Sequence, residues 1–277
     1  MLKINFRRLA SYAAPIRLAI FILVLLLLWL PVAAPIYLFV PDSNLVSILT
    51  LLVLYAEFIA LVKFWGKQVH REPQIFQRYG LRGSRRNGME WLAGLGGGLA
   101  IALSLFIVEG WFGWLVWRSP TVFLPKLILE GLLSAVAIGF AEELLFRGWL
   151  LDELERDYPP SMTIWATALI FALLHFIKPL AEVLRTFPQF PGLILLGIIL
   201  VWAKRGSGGR LGLSMGLHGG LVWGYYIINV GQLTKYSGQV PDWLTGIDRN
   251  PLAGGMGWLF LSAIAWWMRQ RSIKNSI

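Results

Sequence analysis

The chain has 277 residues, of which 57% are hydrophobic and 14% charged, and its mean hydropathy is +0.64. Such a balance points to a bilayer rather than water as the solvent. The absence of cysteine excludes a thiol nucleophile, disulfides and thiolate metal sites together. A net charge of +10 from 25 Lys and Arg raises nucleic acid as a partner, but the placement of those residues answers to topology instead.

Apolar stretches long enough to cross about 30 Å of hydrocarbon at about 1.5 Å per residue recur along the whole chain. They predict an all-α, polytopic membrane protein with about eight spans, at 17–39, 45–65, 91–116, 126–151, 162–178, 190–203, 211–230 and 252–268. The first follows a basic start and runs through Pro31 and Pro35 to Val40 with no small-residue cleavage site, so it reads as a retained span. The third contains Gly96, Gly97 and Gly98, where missing side chains permit close helix contact. No repeat and no soluble domain is evident, so 1–277 reads as one integral membrane domain. The basic connector at 63–88 reads as partly interfacial, and the Gly-, Pro- and Asp-containing stretch at 231–250 as an external loop.

An even number of spans puts both termini on one side. Lys3, Arg7, Arg8 and Arg17 before the first span, and Arg269, Arg271 and Lys274 after the last, share that side with the basic residues that follow spans two, four and six. Only Arg118, Lys126, Lys178, Arg185, Lys235 and Arg249 fall opposite. The positive-inside rule then places both termini in the cytoplasm, with a bacterial plasma membrane as the expected location. Membrane lipid, and not nucleic acid, is the partner this charge implies.

Charge inside an apolar span costs several kcal/mol unless it is paired or lines a wet cavity, so such a cluster is a functional hypothesis. Glu142, Glu143 and Arg147 lie within the fourth span. On a helix Glu143 and Arg147, four apart, share a face in the favourable acid-before-base order, whereas Glu142 points about 100° away. Glu143 is then the partner of Arg147, and Glu142 faces elsewhere. His175 in the fifth span and His218 in the seventh also sit in apolar surroundings, while His70 reads as solvated in the basic connector. Counted from one membrane face, Glu142, His175 and His218 lie at depths of roughly 15, 21 and 12 Å, so they can meet on one level.

The hexapeptide Glu142-Glu143-Leu144-Leu145-Phe146-Arg147 matches EExxxR, Phe171-Ala172-Leu173-Leu174-His175 matches FxxxH, and His218 stands where a third motif begins. In these motifs the chain resembles the CPBP family of CAAX proteases and bacteriocin-processing enzymes, over a core of about 122–231. The resemblance implies an eight-helix intramembrane glutamic endopeptidase acting on a peptide or membrane-protein substrate without cofactor or metal. It further implies that Glu142 and His175 activate water, that His218 helps to hold the oxyanion, and that Glu143, Arg147 and Phe171 support them. One position departs from the pattern: the Ras-converting type has Asn four residues after the third-motif His, and here it is Val222.

Other chemistries fit parts of the same residues. Gly212-Leu213-Ser214-Met215-Gly216 matches GxSxG without the strand-turn-helix context that motif needs. Ser214 and His218, four apart, could form a dyad. Glu142, His175 and His218 could bind zinc, although no two share a helix. A non-catalytic scaffold is compatible with Val222, and Glu57, Glu109, Glu130 and Glu142 could relay protons in a transporter, although paired broken helices are absent from the pattern.

Overall fold

The computed structural model describes residues 6–274; Lys3, counted above with the N-terminal basic residues, lies outside them. The fold is all-α and polytopic, that of an integral membrane protein. A helix occupies each of the eight expected stretches: α1 (Ala14–Phe39), α2 (Ser43–Gln68), α3 (Arg85–Trp111), α4 (Leu124–Glu143), α5 (Pro160–Leu174), α6 (Phe190–Arg205), α7 (Gly212–Val230) and α8 (Gly255–Lys274). Among the described residues five helical segments are long and apolar enough to cross a membrane: Ala14–Phe39, Ser43–Gln68, Arg85–Trp111, Leu124–Glu155 and Leu180–Arg205. The chain divides into two compact units, Met1–Tyr79 with Asp152–Pro159, and Gly80–Leu151 with Pro160–Ile277.

In the first unit α1 starts with Pro in its first turn, where the missing N–H is harmless, and α2 starts at Asp42, whose carboxylate accepts from the Leu45 N–H at 2.7 Å. Phe21 of α1 meets Phe58 and Trp65 of α2 edge-on, with centroids 6.0 and 5.5 Å apart. Leu23, Leu27 and Leu30 of α1 remain exposed, as lipid-facing residues would. The buried charges of this unit, Arg17, Asp152 and Glu153, are paired. Arg17, 2% exposed, donates to Glu153 at 2.9 Å, and the His70 ring approaches the same carboxylate to 2.5 Å. His70 is therefore not solvated as its sequence context suggests: its side chain is 3% exposed, because a buried acid supplies its partner. Burial, and then the nearby Asp152 and Glu153 carboxylates, push the Tyr79 hydroxyl well above its ordinary range, so it remains protonated.

The second unit is built around α7. Its partners α3 and α4 approach backbone to backbone because glycines face them. A Cβ on Gly216 would lie 2.0 Å from the Trp91 carbonyl oxygen of α3, one on Gly220 2.2 Å from that of Leu95, and one on Gly139 of α4 2.7 Å from that of Met215. Of the three consecutive glycines noted in the sequence only Gly98 serves this contact, since Gly96 and Gly97 meet nothing within 4 Å. The third span ends at Trp111, earlier than 116, because Leu115–Trp117 forms β1, paired antiparallel with β2 (Thr234–Tyr236) in the expected external loop. Tyr236 donates from its hydroxyl to the fully buried Glu109 at 3.1 Å. Burial, followed by that carboxyl, raises the Tyr236 hydroxyl far above its usual value, which keeps it a donor.

Candidate active site

Beyond Glu143, α4 continues through a π-helical segment, Leu144–Leu150, before a last helical turn to Glu155. Such widened turns re-phase the side chains that follow and are frequent at functional sites. Arg147 lies within this segment and is fully buried. Its guanidinium donates to Glu143 Oε1 at 2.8 Å and to the Gly197 carbonyl of α6 at 3.1 Å. It also sits 4.5 Å from the centre of the Phe171 ring, a cation–π contact at a fully buried guanidinium. The expected Glu143–Arg147 pair is thus present, with an acceptor on α6 that the sequence did not announce.

Glu143 carries a second load. Its Oε1 also accepts from His218 Nδ1 at 3.0 Å, so one carboxylate oxygen anchors both the arginine and the third-motif histidine. With Nδ1 spent on Glu143, His218 turns Nε2 towards Glu142, whose Oε2 lies 3.8 Å away. That separation is beyond a hydrogen bond, and Glu142 Oε2 has no hydrogen-bond partner. Glu143 has no exposure, whereas the Glu142 side chain is 30% exposed. The two adjacent acids therefore face different surroundings, as the helical geometry implied.

His175 lies one residue past the end of α5, where the chain turns. Its Nδ1 donates to the Phe171 carbonyl at 2.7 Å, because a carbonyl can only accept; this fixes the tautomer and leaves the Nε2 lone pair free. Phe171 packs against all three neighbours: its ring centroid is 4.6 Å from that of His175, 6.1 Å from that of His218 and 5.0 Å from that of Phe146.

Glu142, His175 and His218 line a single cavity of about 270 Å³. Its walls are mostly apolar, including Leu105, Phe106, Leu193, Leu221, Phe260 and Leu261, with Gln189, Tyr225 and Asn250 as further polar groups. Val222 is also in the wall, four residues after His218, and offers no donor. Asn229 points elsewhere, donating to the Tyr225 hydroxyl at 3.0 Å. Ser214 is fully buried, donates to the Leu211 carbonyl at 3.0 Å and is absent from the cavity wall. Among the described residues no group of three or more His, Asp or Glu is arranged as metal ligands. Of the acids considered for proton relay, Glu109 is buried against Tyr236 and Glu130 is half-exposed beside Lys126 at 3.8 Å, so neither joins Glu142.

The sequence missed the glycine face that brings α7 against α3, although Gly212, Gly216, Gly220 and Gly224 recur at every fourth position and so mark one face of a helix. No curated protein and no solved structure matches the chain. A family model does match, over residues 124–224: that of the Rce1-like type II CAAX prenyl endopeptidases. That stretch contains Glu142, Glu143, Arg147, Phe171, His175 and His218, and the chain thus carries an Rce1-like domain of the CPBP family of CAAX proteases.

Proposed function

We propose that the protein is an intramembrane glutamic endopeptidase with eight spans and both termini in the cytoplasm, acting in a bacterial plasma membrane. The observation that carries this reading is the convergence of Glu142, His175 and His218 on one apolar-walled cavity. Water held between Glu142 and His175 gives a proton to Glu142 as its oxygen attacks a peptide carbonyl. His218 Nε2, bearing a proton, donates to the oxyanion of the tetrahedral intermediate. The C–N bond then breaks, and the proton collected by Glu142 passes to the leaving nitrogen, releasing a new carboxylate and a new amine. A carboxylate among leucines and phenylalanines is suited to this base role. The substrate is a peptide or membrane-protein segment whose residues at the cleavage site are apolar or lipid-bearing, since the wall offers few polar contacts.

Glu143, Arg147 and Phe171 are assigned to positioning. They hold His218 and His175 by contacts that leave Nε2 of each ring available. The test compares new N-termini in membranes carrying wild type or Glu142→Gln. Wild-type-specific termini that vanish in the variant, with the variant still folded, are expected.

Val222 favours a second reading, a membrane scaffold that keeps the domain without cleavage, because a position facing the cavity lacks a hydrogen-bond donor. Full complementation by Glu142→Gln, together with no wild-type-specific termini, would establish the scaffold and reject the peptidase.

A further inference from the structure

Within the second unit, where α3 begins and α8 ends, a cleft is lined by Arg85, Arg86, Met89, Glu90, Ala93 and Arg271. Glu90 is the one acid in its wall, and it is heavily subscribed. Arg210 grips it through two bonds of 2.6 and 2.7 Å, Arg86 stands 3.5 Å from it and Arg271 3.9 Å. Arg85 completes the rim. Three guanidinium groups thus face one carboxylate and Arg85 adds a fourth at the rim, which leaves about three positive charges around the cleft. Arg86 is 73% exposed and Arg271 34% exposed, so this surplus is open to a partner.

Met89 and Ala93 of the wall continue into an apolar face of α3 that includes Leu92. Met89, Leu92 and Ala93 lie three and four apart, hence on one face of α3, and all three are exposed. Because α3 is long and apolar enough to cross the membrane, its first turns lie at the depth where lipid phosphates give way to acyl chains. A soluble anion would use the arginines alone. A phospholipid would use both the cationic rim and the apolar face beneath it, and basic pockets between membrane helices are known to take anionic headgroups.

We propose that this cleft is a binding site for an anionic phospholipid, with the phosphate on Arg85, Arg86 and Arg271 and an acyl chain along Met89, Leu92 and Ala93. The site ties lipid to the catalytic helix, since Glu90 of α3 holds Arg210, two residues before α7 begins. The experiment uses the full chain in a neutral detergent, titrated with dioleoylphosphatidylglycerol or dioleoylphosphatidylcholine and read by native mass spectrometry as lipid retained per protein. The wild type is expected to retain the anionic lipid in preference. Arg85→Gln/Arg86→Gln should weaken that retention about thirtyfold, from about 1 kcal/mol for each basic residue at a factor of ten per 1.4 kcal/mol. Lys126→Gln, which removes an exposed basic residue outside the cleft, should leave it unchanged. A melting curve in phosphatidylcholine checks that the double variant is folded; if it is not, Arg271→Gln carries the test with an expected loss of about fivefold. Equal retention of the two lipids by wild type, or wild-type retention by folded variants, overturns the proposal. So does displacement of the lipid by millimolar inorganic phosphate, which would make the site one for a soluble anion.

Discussion

Replacing Gly216 by Ala tests how α7 is held, because the consequence can be worked from the backbone. The new Cβ would begin 2.0 Å from the Trp91 carbonyl oxygen and 2.8 Å from the Leu95 nitrogen, against ordinary contact at 3.4 Å or more. Both obstacles are main-chain atoms of α3, so no rotamer change relieves them, and α3 and α7 must separate by about 1 Å at this crossing. Overpacking of this kind costs about 1–3 kcal/mol, and a rigid backbone neighbour puts the cost at the upper end. At about 2–4 °C per kcal/mol for a chain of this size, the melting midpoint in detergent should fall by about 5–10 °C. His218 lies two residues on, on the same turn of α7, and a displacement of about 1 Å at a reacting group costs about a hundredfold in rate. Gly96→Ala is the matched control: nothing stands within 4 Å of its Cβ, and removing a flexible residue from a helix should stabilise by about 0.5–1 kcal/mol. If Gly216→Ala melts like wild type, or the two variants shift alike, the close crossing does not hold α7 in place.

Three further outcomes follow from the buried charges and the topology. Glu143→Gln or Arg147→Met alone strands a partner with no solvent access and should cost about 3–5 kcal/mol, whereas the double variant should recover part of that loss; strictly additive losses in chemical denaturation would contradict the pairing. Tyr236→Phe deprives Glu109 of its donor and should destabilise by about 1–3 kcal/mol, with Glu109→Gln milder because an amide needs less solvation; the reverse order in the same assay would refute the reasoning. Since the chain has no cysteine, an impermeant thiol reagent applied outside cells should label cysteine placed at Ser237 and spare cysteine placed at Ser84, both exposed positions; inverted labelling would overturn the orientation.

The site was legible where chemistry stands out against an apolar background. Two acids and an arginine inside a run of leucines are conspicuous, and helical spacing alone pairs Glu143 with Arg147. What the sequence could not supply was which groups on other helices would meet them. The sharing of Glu143 Oε1 between Arg147 and His218 depends on how closely α4 approaches α7, and the Gly197 carbonyl has no side chain to signal its part. The glycine periodicity of α7 was readable, yet attention falls more naturally on the run at Gly96–Gly98, two of whose members face open space. The π-helical segment and the β1–β2 pair left no periodic pattern at all. His70 was misread for the same reason as the rest: a local basic context gives no hint of a buried Glu153 eighty-three residues away in sequence.

The missing donor at Val222 bears most directly on the proposed chemistry, and the two histidines suggest how it is made good. Both rings are anchored through Nδ1, but to different acceptors, a neutral carbonyl for His175 and a carboxylate for His218. Because Nδ1 donates to Glu143, a His218 ring that also donates from Nε2 to an oxyanion is an imidazolium, and its charge faces Glu143 on one side and Glu142 on the other. His175, bonded to an amide carbonyl, gains no such support and is the better group to accept a hydrogen bond from the water that Glu142 deprotonates. On this division of labour His218→Ala should lower the cleavage rate about a hundredfold or more, as removal of an oxyanion donor does, at unchanged substrate binding. Val222→Asn, which adds a donor one turn along the same cavity wall, should leave binding unchanged and spare or raise the rate. Single-turnover cleavage of a peptide carrying an apolar segment separates the two effects. If Val222→Asn creates activity where wild type has none, His218 alone does not hold the oxyanion and the native chain is the scaffold.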